Sequence, residues 1–320
     1  MINSSKKRIE WLDILRGIGI ILMVFGHICY SGNSYRWIYS FHMAIFFFAA
    51  GFVYKKKNVW EDIRHRAYTI LIPYFAYGLL TLIYWYFVER HFKDIGISFM
   101  QGFTGLLKGQ YETLQFNIPL WFLPCFFITM VTYNIISNLS NKKLGYTFIT
   151  VLTIIYIFVP FKPMLWGIDK IFKYILFVML GEAASHLNIT DKLNLSVIKQ
   201  VIVTIILFAA SIFTSGRLTQ TRGIWFITAT IGCMACIFLS MLISNSHSLK
   251  TSIQQIGRAA MIILCLHGPV YRAIIGTITH FGRIGMIAIR ANYLYSGIIT
   301  IATIGIIYLI FLLIKRIQSE

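Results

Sequence analysis

The stretch that most constrains this chain is Trp11–Tyr30, WLDILRGIGIILMVFGHICY. A helix needs about 20 apolar residues to cross a bilayer, and this run is long enough. It also carries Asp13, Arg16 and His27. Placing Arg or Asp near a helix centre in lipid costs roughly 2.5–3.5 kcal/mol, so such residues mark a functional site by default. At about 100° per residue, the eleven steps from Arg16 to His27 make three turns plus roughly 20°, and both project from one face. They lie about 16 Å apart along the axis. Asp13 and Arg16 are i, i+3 neighbours able to pair, and Asp13 falls within about 40° of the His27 face. The alternative is structural: Asp13 and Arg16 neutralise each other near the interface, and His27 hydrogen-bonds inside the bundle.

The rest of the chain supports a membrane setting. Of 320 residues, 58% are hydrophobic and only 12% charged, with a mean hydropathy of +0.72. A soluble domain carries about 25% charged residues. The apolar runs are long enough for helices rather than barrel strands. The net charge of +18 is explained by loop lysines and arginines facing anionic lipid. No aromatic-interleaved basic groove suggests nucleic acid. Lys6, Lys7 and Arg8 precede the first run, but that run is too long for a signal peptide and lacks a small-residue cleavage pattern, so it reads as a retained span.

The pattern predicts an all-α polytopic protein of about ten spans, near 11–30, 36–54, 68–88, 118–137, 145–160, 171–186, 197–214, 224–243, 256–276 and 294–314. Lys173 and Glu182 interrupt 171–186. An even count puts both termini on one side. With that side cytoplasmic, more than half of the 29 lysines and arginines fall inside, among them Lys192, in line with the positive-inside rule. The contrast is clearest between loop 55–67, rich in Lys and Arg, and the first outer loop, with Arg36 alone. His27 then lies about 24 Å along the span from Trp11, past the midplane.

The longest connection is 89–117 on the outer side, and its middle, ISFMQGFTGLL, suggests an interfacial or re-entrant helix. Gly102, Gly105 and Gly109 argue against a regular one. No internal repeat is visible, which counts against a repeat-built transporter. Cys233 and Cys236 form a CxxC inside an apolar helical stretch with no second CxxC, so they read as small core residues rather than a metal or redox site. The remaining cysteines, Cys29, Cys125 and Cys265, also lie in or beside apolar runs. The Asn-x-Ser/Thr triplets at Asn138, Asn188 and Asn194 fall in short loops placed inside and read as chance.

With Arg16-x10-His27 and the preceding Asp13, the first span resembles the acyltransferase-3 family of membrane acyltransferases, which carries an Arg-x10-His pattern in its first helix. SFHMAIFFFAAGFVYKK, Ser40 to Lys56, is similar to the family's second-span segment, with Ala50 where serine is usual. RAYTILIPYF (Arg66–Phe75), PLWFLPCFF (Pro119–Phe127) and IGRAAMIILCLHGPVY (Ile256–Tyr271) follow in register. The resemblance runs from about Arg8 to Tyr271 and is closest to the fucose 4-O-acetylase-like sugar O-acetylases. Two departures stand out. Many members carry Arg-x-x-Arg before the third-span proline, whereas this chain has Arg64-His65-Arg66 further from Pro73. Some members carry a soluble hydrolase-like domain after the last span, and none follows Ile314 here, so one transmembrane domain is expected over 1–320.

The resemblance implies transfer of an acyl group, acetyl from acetyl-coenzyme A, to a hydroxyl of a surface or secreted glycan, with no metal, in the plasma or inner membrane of a bacterium. His27 is then the general base or acyl carrier. Arg16 holds a donor phosphate or stabilises negative charge, and Asp13 orients it. Lys55, Arg64 and Arg66 are expected to attract the polyanionic donor, although such charges also serve as the topology signal. His42, Trp121, Phe122, His267 and Glu182 are acceptor or pocket candidates. His42 and His267 are as readily explained by bonds to backbone carbonyls, Trp121 and Phe122 by an interfacial aromatic belt, and Glu182 needs a partner such as Arg16 or a lysine. His267 precedes Gly268-Pro269, where a helix is disturbed and carbonyls are freed. Gly17 and Gly19 follow no strand; they read as close-packing sites rather than a phosphate loop. The expected partners are acyl-coenzyme A, a carbohydrate or lipid-linked glycan, membrane lipid and, as an open alternative, a second copy of the chain. A transporter or flippase of a sugar-linked or acylated lipid is the competing function, and an inactive scaffold a third.

Overall fold

The computed structural model describes residues 9–92, 95–189, 195–217 and 221–318. Lys6, Lys7, Arg8, Lys192 and Asn194 lie outside these residues. The described chain is helical, with short 3-10 and π turns and no strand. In order, the helices are α1 (Glu10–Ile28), α2 (Gly32–Phe52), α3 (Val59–Arg66), α4 (Ile72–Phe87), α5 (Phe99–Lys108), α6 (Phe122–Ser137) and α7 (Lys142–Phe158). They continue with α8 (Ile171–His186), α9 (Val197–Arg217), α10 (Arg222–Ser244), α11 (His247–Arg258), α12 (Ala260–Gly282), α13 (Met286–Ala291) and α14 (Tyr293–Ile317).

Among the described residues, seven helical stretches are long and apolar enough to cross a membrane: α1, Val59–His91, Ile118–Ser137, Val197–Gly216, α10, α12 and α14. The predicted spans 36–54, 145–160 and 171–186 are helical as well. Of these, α7 and α8 have only 17 and 16 residues, short of the ~20 that a perpendicular span needs. The chain is thus an integral multi-pass helical membrane protein. Its outward faces bear this out: Ile198 and Ile205 on α9 and Ile301 on α14 are 73%, 62% and 75% exposed, as lipid-facing side chains are. The core holds large aromatics, including Phe41, Phe47, Trp85 and Tyr133.

The first helix lies at the centre, packed by α2, α10, α11, α12 and α14. Hence Ile14, Leu15, Ile20, Val24 and Ile28 are fully buried. Its contact with α11 is very close. A Cβ on Gly17 would sit 2.3 Å from the Ile253 carbonyl oxygen, and one on Gly257 would sit 2.0 Å from that of Asp13. Gly17 is therefore the close-packing residue its context suggests.

Three details depart from the sequence-based outline. The polar stretch 247–258 forms α11, and the late span begins at Ala260, because α11 is amphipathic and lies against α1 instead of looping free. Loop 55–67 is largely α3, capped by the Asn58 side chain on Trp60 N at 3.0 Å. It runs through a π turn, Ala67–Leu71, into α4. Pro73 lies just beyond that turn; it lacks an N–H and crowds the carbonyl four residues back, which favours local widening. The segment Phe99–Lys108 is a regular helix, closed at its start by a reciprocal Ser98–Gln101 capping box and ended by Gly109 at φ 60°. Its glycines serve packing: a Cβ on Gly102 would meet Leu82 at 2.4 Å.

Candidate active site

His27 occupies the last turn of α1, where carbonyls lack intrahelical partners. Arg290, at the end of α13, satisfies two of them, donating to the oxygens of His27 (2.9 Å) and Ile28 (3.0 Å). A cation at a helix C-terminus is also favoured by the helix dipole. Its guanidinium stacks over Tyr30, 4.6 Å from the ring centre.

Beside His27 stands Tyr39 of α2. Its hydroxyl lies 2.9 Å from Nδ1 and 3.3 Å from Nε2 of His27. The Tyr39 ring also lies 4.9 Å from the His42 ring, and His267 lies 5.1 Å from His27, centre to centre. His27 and His42 thus flank the Tyr39 phenol, and His267 stands on the other side of His27. His42 Nδ1 donates to the Ile38 carbonyl at 2.8 Å, which leaves its Nε2 as the lone-pair nitrogen. His267 Nδ1 faces the carbonyls of Ile263 (3.0 Å) and Leu264 (2.9 Å), and among the described residues its buried Nε2 has no partner. The expected disturbance at Pro269 is present: with no N–H there, the Cys265 carbonyl is free and accepts from Asn117 Nδ2 at 2.9 Å.

Two cavities meet at this cluster, and His27, Tyr35, Tyr39 and Tyr111 line both. The first, about 210 Å³, is polar: Glu89, Gln115, Tyr271, Arg272 and Arg290 border it. Arg272 is held there by a bidentate ion pair with Glu89, whose Nη2–Oε2 leg is 3.0 Å, and it donates to the Phe116 carbonyl at 2.6 Å. The second, about 260 Å³, is bordered by Met23, His42, Trp121, Phe122, Lys170 and Lys173. The Lys173 ammonium lies 3.9 Å over the Trp225 ring, and among the described residues no carboxylate pairs with it. Lys170 sits 5.2 Å over Trp121 and 3.5 Å from Asp169. Both lysines are positioned by the 3-10 turn Leu165–Lys170, in which Trp166 and Gly167 take positive φ and Asp169 accepts from Met164 N at 2.9 Å. Tyr111 lies on the loop between α5 and α6. Partial burial, aided by nearby Tyr30, pushes its phenol above the ordinary range, so it stays neutral and able to donate.

The predicted residues thus divide into two groups. His27, His42, Trp121 and Phe122 share the second cavity, and His267 abuts His27. Asp13 and Arg16 do not line either cavity. Asp13 pairs with Arg16 at 3.2 Å and Arg258 at 3.5 Å, joining α1 to α11; between Arg16 and His27 the stripe is filled by Ile20 and Met23. Arg66 is tied to buried Asp62 at 2.7 Å, and Arg64 and Lys55 are exposed. These three lie beyond the C-terminal end of α2, whereas His27 adjoins its N-terminal half. Glu182 is at that same far end. Its partners are the hydroxyls of Tyr133 and Tyr146 (3.0 Å to the latter) and His186 at 3.6 Å, not Arg16 or a lysine.

Sequence reasoning missed Tyr39, Glu89, Tyr111, Lys170, Arg272 and Arg290 as site residues and noted Lys173 only as an interruption. Arg272 lay within a predicted span, and an ionisable residue there is itself a signal. Tyr39 and Arg290 carried none, since a tyrosine near an interface and a loop arginine are commonplace.

Comparison with known families places this geometry in context. A family model described as an acyltransferase domain, acyltransferase 3, matches residues 9–314. No curated protein and no solved structure matches the chain.

Proposed function

Because the chain belongs to the acyltransferase 3 family, we propose that it transfers an acetyl group from acetyl-coenzyme A to a hydroxyl of a surface or secreted glycan. The observation that carries this reading is the position of His27, shared by two cavities of different character. The second cavity suits the reacting end of the donor: its apolar half, with Met23, Met43 and Phe122, suits an acyl thioester arm, and Lys170 and Lys173 offer positive charge to the oxyanion that develops there. The first suits a carbohydrate, since tyrosine, glutamine, glutamate and arginine side chains match hydroxyl-rich ligands.

A sugar hydroxyl is a weak nucleophile near neutral pH. An Nδ1–H bond from His27 to the Tyr39 oxygen leaves Nε2 free to take the hydroxyl proton. The hydroxyl oxygen then attacks the thioester carbonyl. A C–O bond forms, the C–S bond breaks, and the proton passes from His27 to the departing thiolate. Such general-base catalysis contributes about 10²–10⁴-fold. In the variant with a covalent intermediate, the imidazole itself accepts the acetyl group first. Arg16 and Asp13 act at a distance, by holding α11 against α1.

The membrane of action is the bacterial plasma or inner membrane, with the Arg16 end in the cytoplasm. The deciding assay supplies labelled acetyl-coenzyme A and candidate glycans to membranes holding wild-type protein or His27→Ala. Label should reach a glycan only with wild type; transfer that persists in His27→Ala overturns the mechanism. Glycan uptake into vesicles without any transfer would point to a transporter instead. Orientation is tested by cysteine labelling. The five native cysteines are buried, so an impermeant reagent should modify Glu112→Cys but not Lys56→Cys in intact cells; the opposite pattern inverts the topology.

A further inference from the structure

A third cavity adjoins the polar one. It is about 730 Å³, more than three times larger, and lies between the end of α4 and the second half of α12. Its wall is mostly apolar and opens outward. Phe92 and Phe281 are 86% and 79% exposed, and Val88 and Met286 are 45% and 38% exposed. Side chains so placed on a membrane helix bundle face hydrocarbon. Glu89, Tyr271, Arg272 and Arg290 border both this groove and the polar cavity that holds His27. The two spaces therefore adjoin, with these charged groups as their shared border.

The two arginines there differ. Arg272 is neutralised by the Glu89 carboxylate. Among the described residues, the partners of Arg290 are backbone carbonyls and the Tyr30 ring, with no carboxylate. A half-buried guanidinium between an apolar groove and a polar cavity matches an amphiphile with an anionic linkage: hydrocarbon on one side, phosphate at the arginine, polar group beyond.

We propose that the acceptor is a glycan carried on a membrane lipid through a phosphate. Its hydrocarbon chain lies in the groove of α4 and α12, its phosphate meets Arg290, and its sugar faces His27. The groove's border with the His27 cavity, and the charge of Arg290 at that border, are what select this occupant over bulk lipid. The inference rests on the acyl-transfer reading for what happens at His27, but the groove is tested without it.

The test uses the full chain in detergent with a diazirine-bearing polyprenyl phosphate as photoprobe. Polyprenyl phosphate should compete at least tenfold better than the same prenol without phosphate or than phosphatidylcholine. Labelled peptides should come from the ends of α4 and α12. Gly276 borders the groove, and a Cβ there meets nothing within 4 Å, so Gly276→Trp fills the groove without a clash in the protein. It should lower labelling at least fivefold with an unchanged melting temperature. Arg290→Gln should remove the advantage of phosphate over prenol; if that variant melts early because it caps α1, Gly276→Trp decides. Labelling should persist in His27→Ala, so loss of acetyl transfer does not obscure the result. Equal competition by phosphatidylcholine, meaning annular lipid only, or unchanged labelling in Gly276→Trp overturns the proposal.

Discussion

The two ends of α1 hold the same kinds of residue and use them in opposite ways. At the Arg16 end, opposite charges stand in pairs, although the buried Asp13 Oδ2 and Asp62 Oδ1 accept no hydrogen bond from the described residues. Asp13 lies between Arg16 and Arg258, Arg66 is bonded to Asp62, and Lys250 is paired with Glu10. Nearby, Glu182 accepts from two tyrosines. The helices there approach to backbone contact at Gly17 and Gly257. At the His27 end the balance is incomplete. Among the described residues, Lys173 and Arg290 have ring faces and carbonyls but no carboxylate, His267 Nε2 is buried without a partner, and cavities of about 210 and 260 Å³ open around the imidazole. Paired charges packed between helices hold them together; charges without a counter-ion beside a cavity are poised for a ligand. Charge in a membrane span is thus ambiguous by itself, and its partners decide its meaning.

Substitutions can break this contrast, and the largest effect is expected at the His27 end. His27→Ala should lower acetyl transfer by about 10²–10⁴-fold with little change in melting temperature. Asp13→Ala should do the reverse. It removes the carboxylate shared by two guanidiniums that are 32% and 44% exposed, so the loss should be about 1–3 kcal/mol, below that of a fully buried pair, read as an earlier thermal transition in detergent. If Asp13→Ala instead cuts turnover in a protein that melts normally, the Arg16 end takes part in the chemistry and the division fails. Tyr39→Phe should sharpen it further: removing one hydrogen bond to His27 should cost about tenfold in kcat, with the donor KM little changed. Glu182→Gln should be the mildest, about 1 kcal/mol or less of stability and unaltered turnover, because a neutral amide still accepts from Tyr133 and Tyr146.

Much of the architecture was legible from hydropathy. The long apolar stretches of α1, α4, α6, α9, α10, α12 and α14 follow from the need to satisfy every backbone group internally in lipid. The pairing of Asp13 with Arg16 followed from helical periodicity, and so did the shared face of Arg16 and His27. The freed Cys265 carbonyl followed from Pro269, although its partner, Asn117, lies 148 residues away in sequence and was invisible. The helix α11 was also missed, because a polar amphipathic segment has the composition of a loop until another helix covers its apolar side.

What the sequence determined by itself was the solvent, the helical class and the one span too polar to be mere filler, since each depends on local composition and a fixed helical period. It also carried the motif that marks the family. The tertiary structure decided which polar residues remain unsatisfied. It brought Tyr39, His42 and His267 around His27, drew Arg16 away into a helix contact, and set Lys173 and Arg290 beside cavities. Those outcomes depend on contacts between helices distant in sequence, and no periodicity within a single span encodes them.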